Sequence, residues 1–209
     1  YITLLDDNYP EMLKRIFKPP LILFYYGDIN LLNDFEHTIA IVGSRKLESF
    51  VCEPARNIIK EVSKKLTVVS GLSYGIDSIA HQTCLDVGGK TIGVLGNGID
   101  YIYLESNKEL YNIIKEKGLV ISEYPGYTEA SPSNFPFRNR IIAGLAKAIF
   151  IPDIKIASGT YSTLSFAISQ GKDVYVLPHL PLSNTLNNTL IKEGGVLVDS
   201  IEDILGNWS

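Results

Sequence analysis

Three times before residue 100 the chain runs from a short, β-branched apolar stretch straight into glycine. The fullest case is Val68-Val69-Ser70-Gly71-Leu72-Ser73-Tyr74-Gly75-Ile76-Asp77-Ser78-Ile79-Ala80-His81. The others are Ile39-Ala40-Ile41-Val42-Gly43-Ser44-Arg45 and Thr91-Ile92-Gly93-Val94-Leu95-Gly96-Asn97-Gly98. Apolar runs without alternation mark strands buried on both faces, as in a parallel sheet. After Gly75 the spacing turns helical, with Ile76, Ile79, Ala80 and Leu85 on one stripe. Glycine at such a junction lets the backbone turn sharply and leaves free N–H groups at a helix start, where anions bind. The expected fold is α/β, a doubly wound, mostly parallel sheet with helices on both faces. Such strands end along one edge, so the three loops converge on one crevice. None has the dinucleotide spacing G-x-G-x-x-G or the phosphate loop G-x-x-x-x-G-K-[ST], and neither an NAD site nor an ATPase site follows.

The remaining chain continues the alternation. Strands are expected at 119–122, 148–151, 173–177 and 195–198, with helices at about 107–117, 138–147 and 160–170 and a long loop at 124–136. Residues 1–36 read as an N-terminal extension packed on the main domain, which covers 37–209. With 209 residues, 45% of them hydrophobic, the chain can bury a sizeable core. No apolar run approaches the ~18 residues of a membrane span, and no basic-then-apolar leader opens it. Cys52 and Cys84 lack metal-ligand spacing and read as reduced, packed thiols, so a cytoplasmic protein with no membrane contact is expected. A net charge of −4 excludes a surface that is basic all over but not a local cationic groove. The start at Tyr1 suggests a portion of something longer.

Chemistry gathers at the loops. Phe135-Pro136-Phe137-Arg138-Asn139-Arg140 puts two guanidinium groups, an amide and two aromatic rings before an apolar helix. Arginine pairs bidentately with phosphate, and aromatic faces stack with unpaired bases. The plainer alternative buries the rings and pairs the arginines with carboxylates such as Glu123. Arg45 and Lys46 extend a cationic line or are simply solvated. Ser158-Gly159-Thr160 opens another helix and suits either an anion or an ordinary cap. An enzyme is harder to argue. His81 follows Asp77 by one helical turn, a pairing that orients a base but is more often structural. Asp100, Glu105 and Glu123 have no spacing that specifies hydrolysis or a metal, so no catalytic residue, metal site or cofactor is assigned.

In order along the chain, Val42-Gly43-Ser44-Arg45, Ser70-Gly71-Leu72-Ser73-Tyr74-Gly75-Ile76-Asp77 with Ala80-His81, Gly89-Lys90-Thr91-Ile92, Ser122-Glu123-Tyr124-Pro125 and Phe135-Pro136-Phe137-Arg138-Asn139-Arg140 resemble the DprA/Smf (DNA-processing protein A) family. The resemblance runs from about Pro19 to Val198. It implies an extended Rossmann-like domain that binds single-stranded DNA without sequence preference or catalysis and forms homodimers. It also implies protection of incoming DNA and help in loading a RecA-type recombinase during natural transformation. Carried onto this chain, the family's DNA pocket uses Gly43, Ser44, Arg45, Ser70, Gly71, Phe135, Arg138, Arg140, Ser158 and Gly159. Lys46, Gly75, Asn139 and Thr160 join them from the reading of the loops. The chain departs from the family at Pro178-His179, in place of Pro-Gly, and at Leu186-Asn187-Asn188-Thr189-Leu190-Ile191, so the back of the pocket and a nearby dimer surface differ there. A helical N-terminal module and a winged-helix C-terminal module have no counterpart in these residues.

Two other classes compete. The cytokinin-activating phosphoribohydrolases (LOG family) share a similar fold and carry Pro-Gly-Gly-x-Gly-Thr followed by a catalytic glutamate. Here Ala157-Ser158-Gly159-Thr160 resembles only the end of that signature, and Ser165 or Phe166 stands where the acid belongs. A scaffold that binds only proteins, through Leu190-Ile191 and the 200–205 helix, is the third reading.

Overall fold

The structure is a computed structural model that describes residues 1–156 and 158–208. Ala157, in the run Ala157-Ser158-Gly159-Thr160, lies outside the described residues. The chain opens with β1 (Ile2–Thr3), α1 (Glu11–Lys14) and β2 (Ile22–Gly27), then alternates. β3 (Thr38–Ile41), α2 (Cys52–Val62), β4 (Thr67–Ser70), α3 (Ile76–Asp86), β5 (Thr91–Leu95), α4 (Lys108–Lys117) and β6 (Leu119–Ser122) form the first half. α5 (Asn134–Leu145), β7 (Ala148–Ile151), α6 (Thr160–Ser169), β8 (Asp173–Val176), α7 (Asn187–Lys192), β9 (Val196–Leu197) and α8 (Glu202–Leu205) complete it. Among the described residues the strands join one sheet in the order β1-β2-β6-β5-β4-β3-β7-β8-β9. From β6 to β9 all neighbours are parallel, and β2 and β1 close the other side antiparallel. None of the described helices is long and apolar enough to cross a membrane.

Every residue of β3 through β7 is buried, as a sheet covered on both faces requires. Each fully buried valine, isoleucine or leucine contributes about 1.5–3 kcal/mol of transfer free energy, so these strands anchor the fold. α2 buries Ala55, Ile58, Ile59 and Val62, one stripe at helical spacing, and packs with α3 on one face of the sheet. On the other face α5 is buried without interruption from Arg138 to Leu145, because it lies between the sheet, α1 and α6. Residues 1–36 contribute β2, which pairs with β6, and Tyr9, Leu13 and Leu23, which join the core beside Ile92 and Ile141.

Two boundaries differ from the expected ones in a way that matters. α5 begins at Asn134 rather than Arg138, so Phe135, Pro136 and Phe137 form its first turn. Proline is tolerated there, since a first-turn residue has no intrahelical use for an N–H. The last strand shrinks from 195–198 to Val196–Leu197.

Candidate nucleic-acid interface

Strand order reverses between β3 and β7, and a crevice outside the carboxyl ends of an open α/β sheet is expected at that point. A cleft of about 570 Å³ opens there, walled by the loops after β3 and β7, the first turns of α5 and α6, and Ser73, Asp77 and Tyr103. Hydrogen bonds stitch the loops together. The Ser44 N–H donates to the Asp153 carbonyl at 2.9 Å, and the Ile76 N–H to the Ser44 carbonyl at 3.3 Å. The second contact requires glycine at 75, where φ is +77° and a Cβ would stand 2.2 Å from the Ser44 oxygen.

The walls carry cations and rings. Arg45 and Lys46 are exposed, and the Arg45 guanidinium lies 5.9 Å from the centre of the Phe135 ring. Phe135 in turn meets Tyr103, centroids 5.0 Å apart. Arg138 is buried beneath them. Its Nη1 donates to the carbonyls of Gly71, at 2.8 Å, and Val94, and its Nε to Asn139 Oδ1 at 3.0 Å. Burial pulls the Arg138 pKa down to about 10 against the pull of Asp77, which leaves it cationic at neutral pH. Burial likewise raises the Asp77 carboxyl, while Arg138 and the Ser73 N–H, at 3.3 Å, hold it down. Asn139 Nδ2 donates to the Gly159 carbonyl at 3.2 Å and to Ser162 Oγ at 2.7 Å, which fixes the start of α6 against α5. The buried Ser158 hydroxyl there has no hydrogen-bond partner.

Of the expected residues, the cleft gathers Gly43, Ser44, Arg45, Lys46, Phe135, Arg138, Asn139, Ser158, Gly159 and Thr160. Ser70, Gly71 and Gly75 lie beneath it as supports: Ser70 Oγ donates to the Ile41 carbonyl at 2.6 Å, and Gly71 accepts from Arg138. Arg140 is turned away from it. Two residues apart on a helix, Arg138 and Arg140 point to opposite sides. The Arg140 guanidinium binds Glu123 through two contacts of 2.7 and 2.5 Å, donates to the Lys18 carbonyl at 3.0 Å and covers the Phe137 ring. For Arg140 the plainer alternative, a pair with Glu123, is what the structure has.

Tyr103 and Lys155 line the cleft without having been singled out in the sequence, and Lys155 is paired with Glu48 at 2.8 Å. The only signal for Tyr103 was an aromatic pair, Tyr101 and Tyr103, in a loop after a strand. His81 and Asp77 do not act together: His81 Nδ1 lies 2.7 Å from Thr91 Oγ1, and burial pushes its pKa down to about 3. Asp100 accepts from Tyr26, and Glu105 pairs with Lys108. In α6, Ser165 is exposed and Phe166 packs on the core, so neither supplies an acid to the cleft. The departure at Pro178-His179 has a structural use. His179 Nε2 donates to the Pro152 carbonyl at 2.9 Å, and the buried Asn187 ties Pro152, Ile154 and Leu177 together behind the cleft.

The model of one protein family, described as DNA recombination-mediator protein A, matches residues 1–209. The chain is 38% identical to the DNA processing protein DprA of Streptococcus pneumoniae over 208 residues, 99% of this chain and 73% of that protein. It is 39% identical to the Protein Smf of Synechocystis over 184 residues, 87% of this chain but 46% of the relative's length. Among solved structures, DNA processing protein A from Helicobacter pylori superposes with a TM-score of 0.88 at 27% identity, covering 97% of this chain and 93% of that one. That structure is described as giving insight into a single-stranded DNA binding mode.

Proposed function

The chain belongs to the DNA recombination-mediator protein A family, and on that premise we propose that it holds single-stranded DNA in the cleft between β3 and β7, without sequence preference and without chemistry. The observation that carries this reading is the cluster in the cleft wall, where the Arg45 guanidinium lies 5.9 Å from the centre of the Phe135 ring and that centre lies 5.0 Å from the Tyr103 ring's. A base stacks on a ring whatever its identity, and a cation beside it meets the phosphate that every nucleotide carries. The Helicobacter pylori relative, described by its single-stranded DNA binding mode, supports the same ligand. In the cell this fits a cytoplasmic mediator that protects incoming DNA and helps load a RecA-type recombinase during natural transformation. A homodimer suits the end strand β9, where Val196 and Leu197 are exposed beside an open backbone edge.

Fluorescence anisotropy of a labelled oligothymidine, against duplex of equal length and across a salt series, tests the reading. Preference for the single strand, with affinity falling as salt rises, is expected. Equal affinity for duplex, or no binding at low salt, would count against it and favour the protein scaffold or the nucleotide hydrolase.

A further inference from the structure

Seven phenylalanine and tyrosine rings are exposed among the described residues, and only Tyr1 and Phe17 belong to the N-terminal segment. The other five are Phe50, Tyr74, Tyr103, Tyr127 and Tyr161, each between 36% and 78% exposed. One follows each of the five adjacent strands β6, β5, β4, β3 and β7: Phe50, Tyr74, Tyr103 and Tyr127 stand between β3, β4, β5 and β6 and the next helix, and Tyr161 is in the first turn of α6 after β7, whereas the segments after β8 and β9 carry no exposed phenylalanine or tyrosine among the described residues. Single exposed rings need no explanation. One after each of five adjacent parallel strands is a pattern. Sheet order sets them in the row Tyr127, Tyr103, Tyr74, Phe50, Tyr161. The five strands they follow, about 4.8 Å apart, span about 19 Å.

Tyr103 joins the row to the cleft through Phe135, and Arg45 and Lys46 stand on the β3 loop near its middle. A ligand that matches spaced rings flanked by cations is a chain of flat groups on an anionic backbone. We infer that a single strand held in the cleft continues along this edge, its unpaired bases stacking on Tyr74, Tyr127 and Tyr161. The inference rests on the binding reading and extends it from a pocket to a track.

Length dependence separates the two. Oligothymidines of about five and about twenty residues bracket the cleft alone and the cleft with its track. The wild type is expected to bind the long strand more tightly than the short one. The triple variant Tyr74→Ala, Tyr127→Ala, Tyr161→Ala should lose about tenfold or more on the long strand and keep its affinity for the short one. The matching triple phenylalanine variant should bind both like the wild type, since it keeps the ring faces. A triple alanine variant that binds the long strand normally, or weakens on both strands alike, overturns the track while the cleft stands. A wild type that binds neither oligomer overturns the cleft and the track together.

Discussion

Asp153, two residues past the end of β7, has no accessible surface and no hydrogen bond to either carboxylate oxygen. The Ser44 groups that approach it bind its carbonyl instead. Burial raises its pKa above the ordinary carboxylate value, with Glu48 adding to the rise and His179 and Lys155 opposing it. Between the unfolded and the folded pKa the folded state therefore binds more proton than the unfolded chain, and stability falls as pH climbs through that window. Asp153→Asn keeps the shape without the charge. Its urea midpoint should exceed the wild type's at about pH 8 by more than at about pH 4; a constant difference would mean that Asp153 ionises freely. Residues of this kind were hidden in the sequence, because burial without a partner is a property of three dimensions. Arg138 and Arg140 show the same limit. Side by side in one motif, they part on the helix, one beneath the cleft and the other onto Glu123.

The loop from β4 to α3 depends on a backbone that only glycine adopts easily. Gly75→Ala would force a Cβ into the Ser44 carbonyl at a positive φ, which costs more than the roughly 1–2 kcal/mol of a left-handed residue alone. Both the denaturation midpoint and single-strand affinity should fall, because the displaced Ser44 carries the Arg45 loop with it. A variant that kept full affinity would separate that contact from binding. This element was legible early, since a run of buried β-branched residues, glycine and a helical stripe are local signals. α5 was legible only in part. Its first turn contains Pro136, which reads as a loop until its position within the helix is known, and its uninterrupted burial erases the stripe that marks α2.

At the scale of the molecule, the order of the strands makes the cleft: the parallel strands start in the middle of the sheet at β3, wind outward to β6, and return to set β7 on the other side of β3. Alternating strands and helices foretold that class of fold, and the converging glycine loops foretold the edge at which the cleft opens. The outer limits were less legible, since β1 and β9 are two residues each and carry little pattern. If β9 is the dimer edge, Leu197→Glu should convert a sedimenting dimer to a monomer; an unchanged sedimentation coefficient would move the interface elsewhere. The cleft itself is the central claim, and the salt dependence of oligothymidine binding tests it most directly. Arg45→Ala should reduce the slope of log affinity against log salt by about one phosphate contact. Phe135→Ala should weaken binding by roughly 1–3 kcal/mol and leave the slope near the wild type's, because stacking releases few counterions. Wild-type affinity and slope in both variants would place the strand outside this cleft.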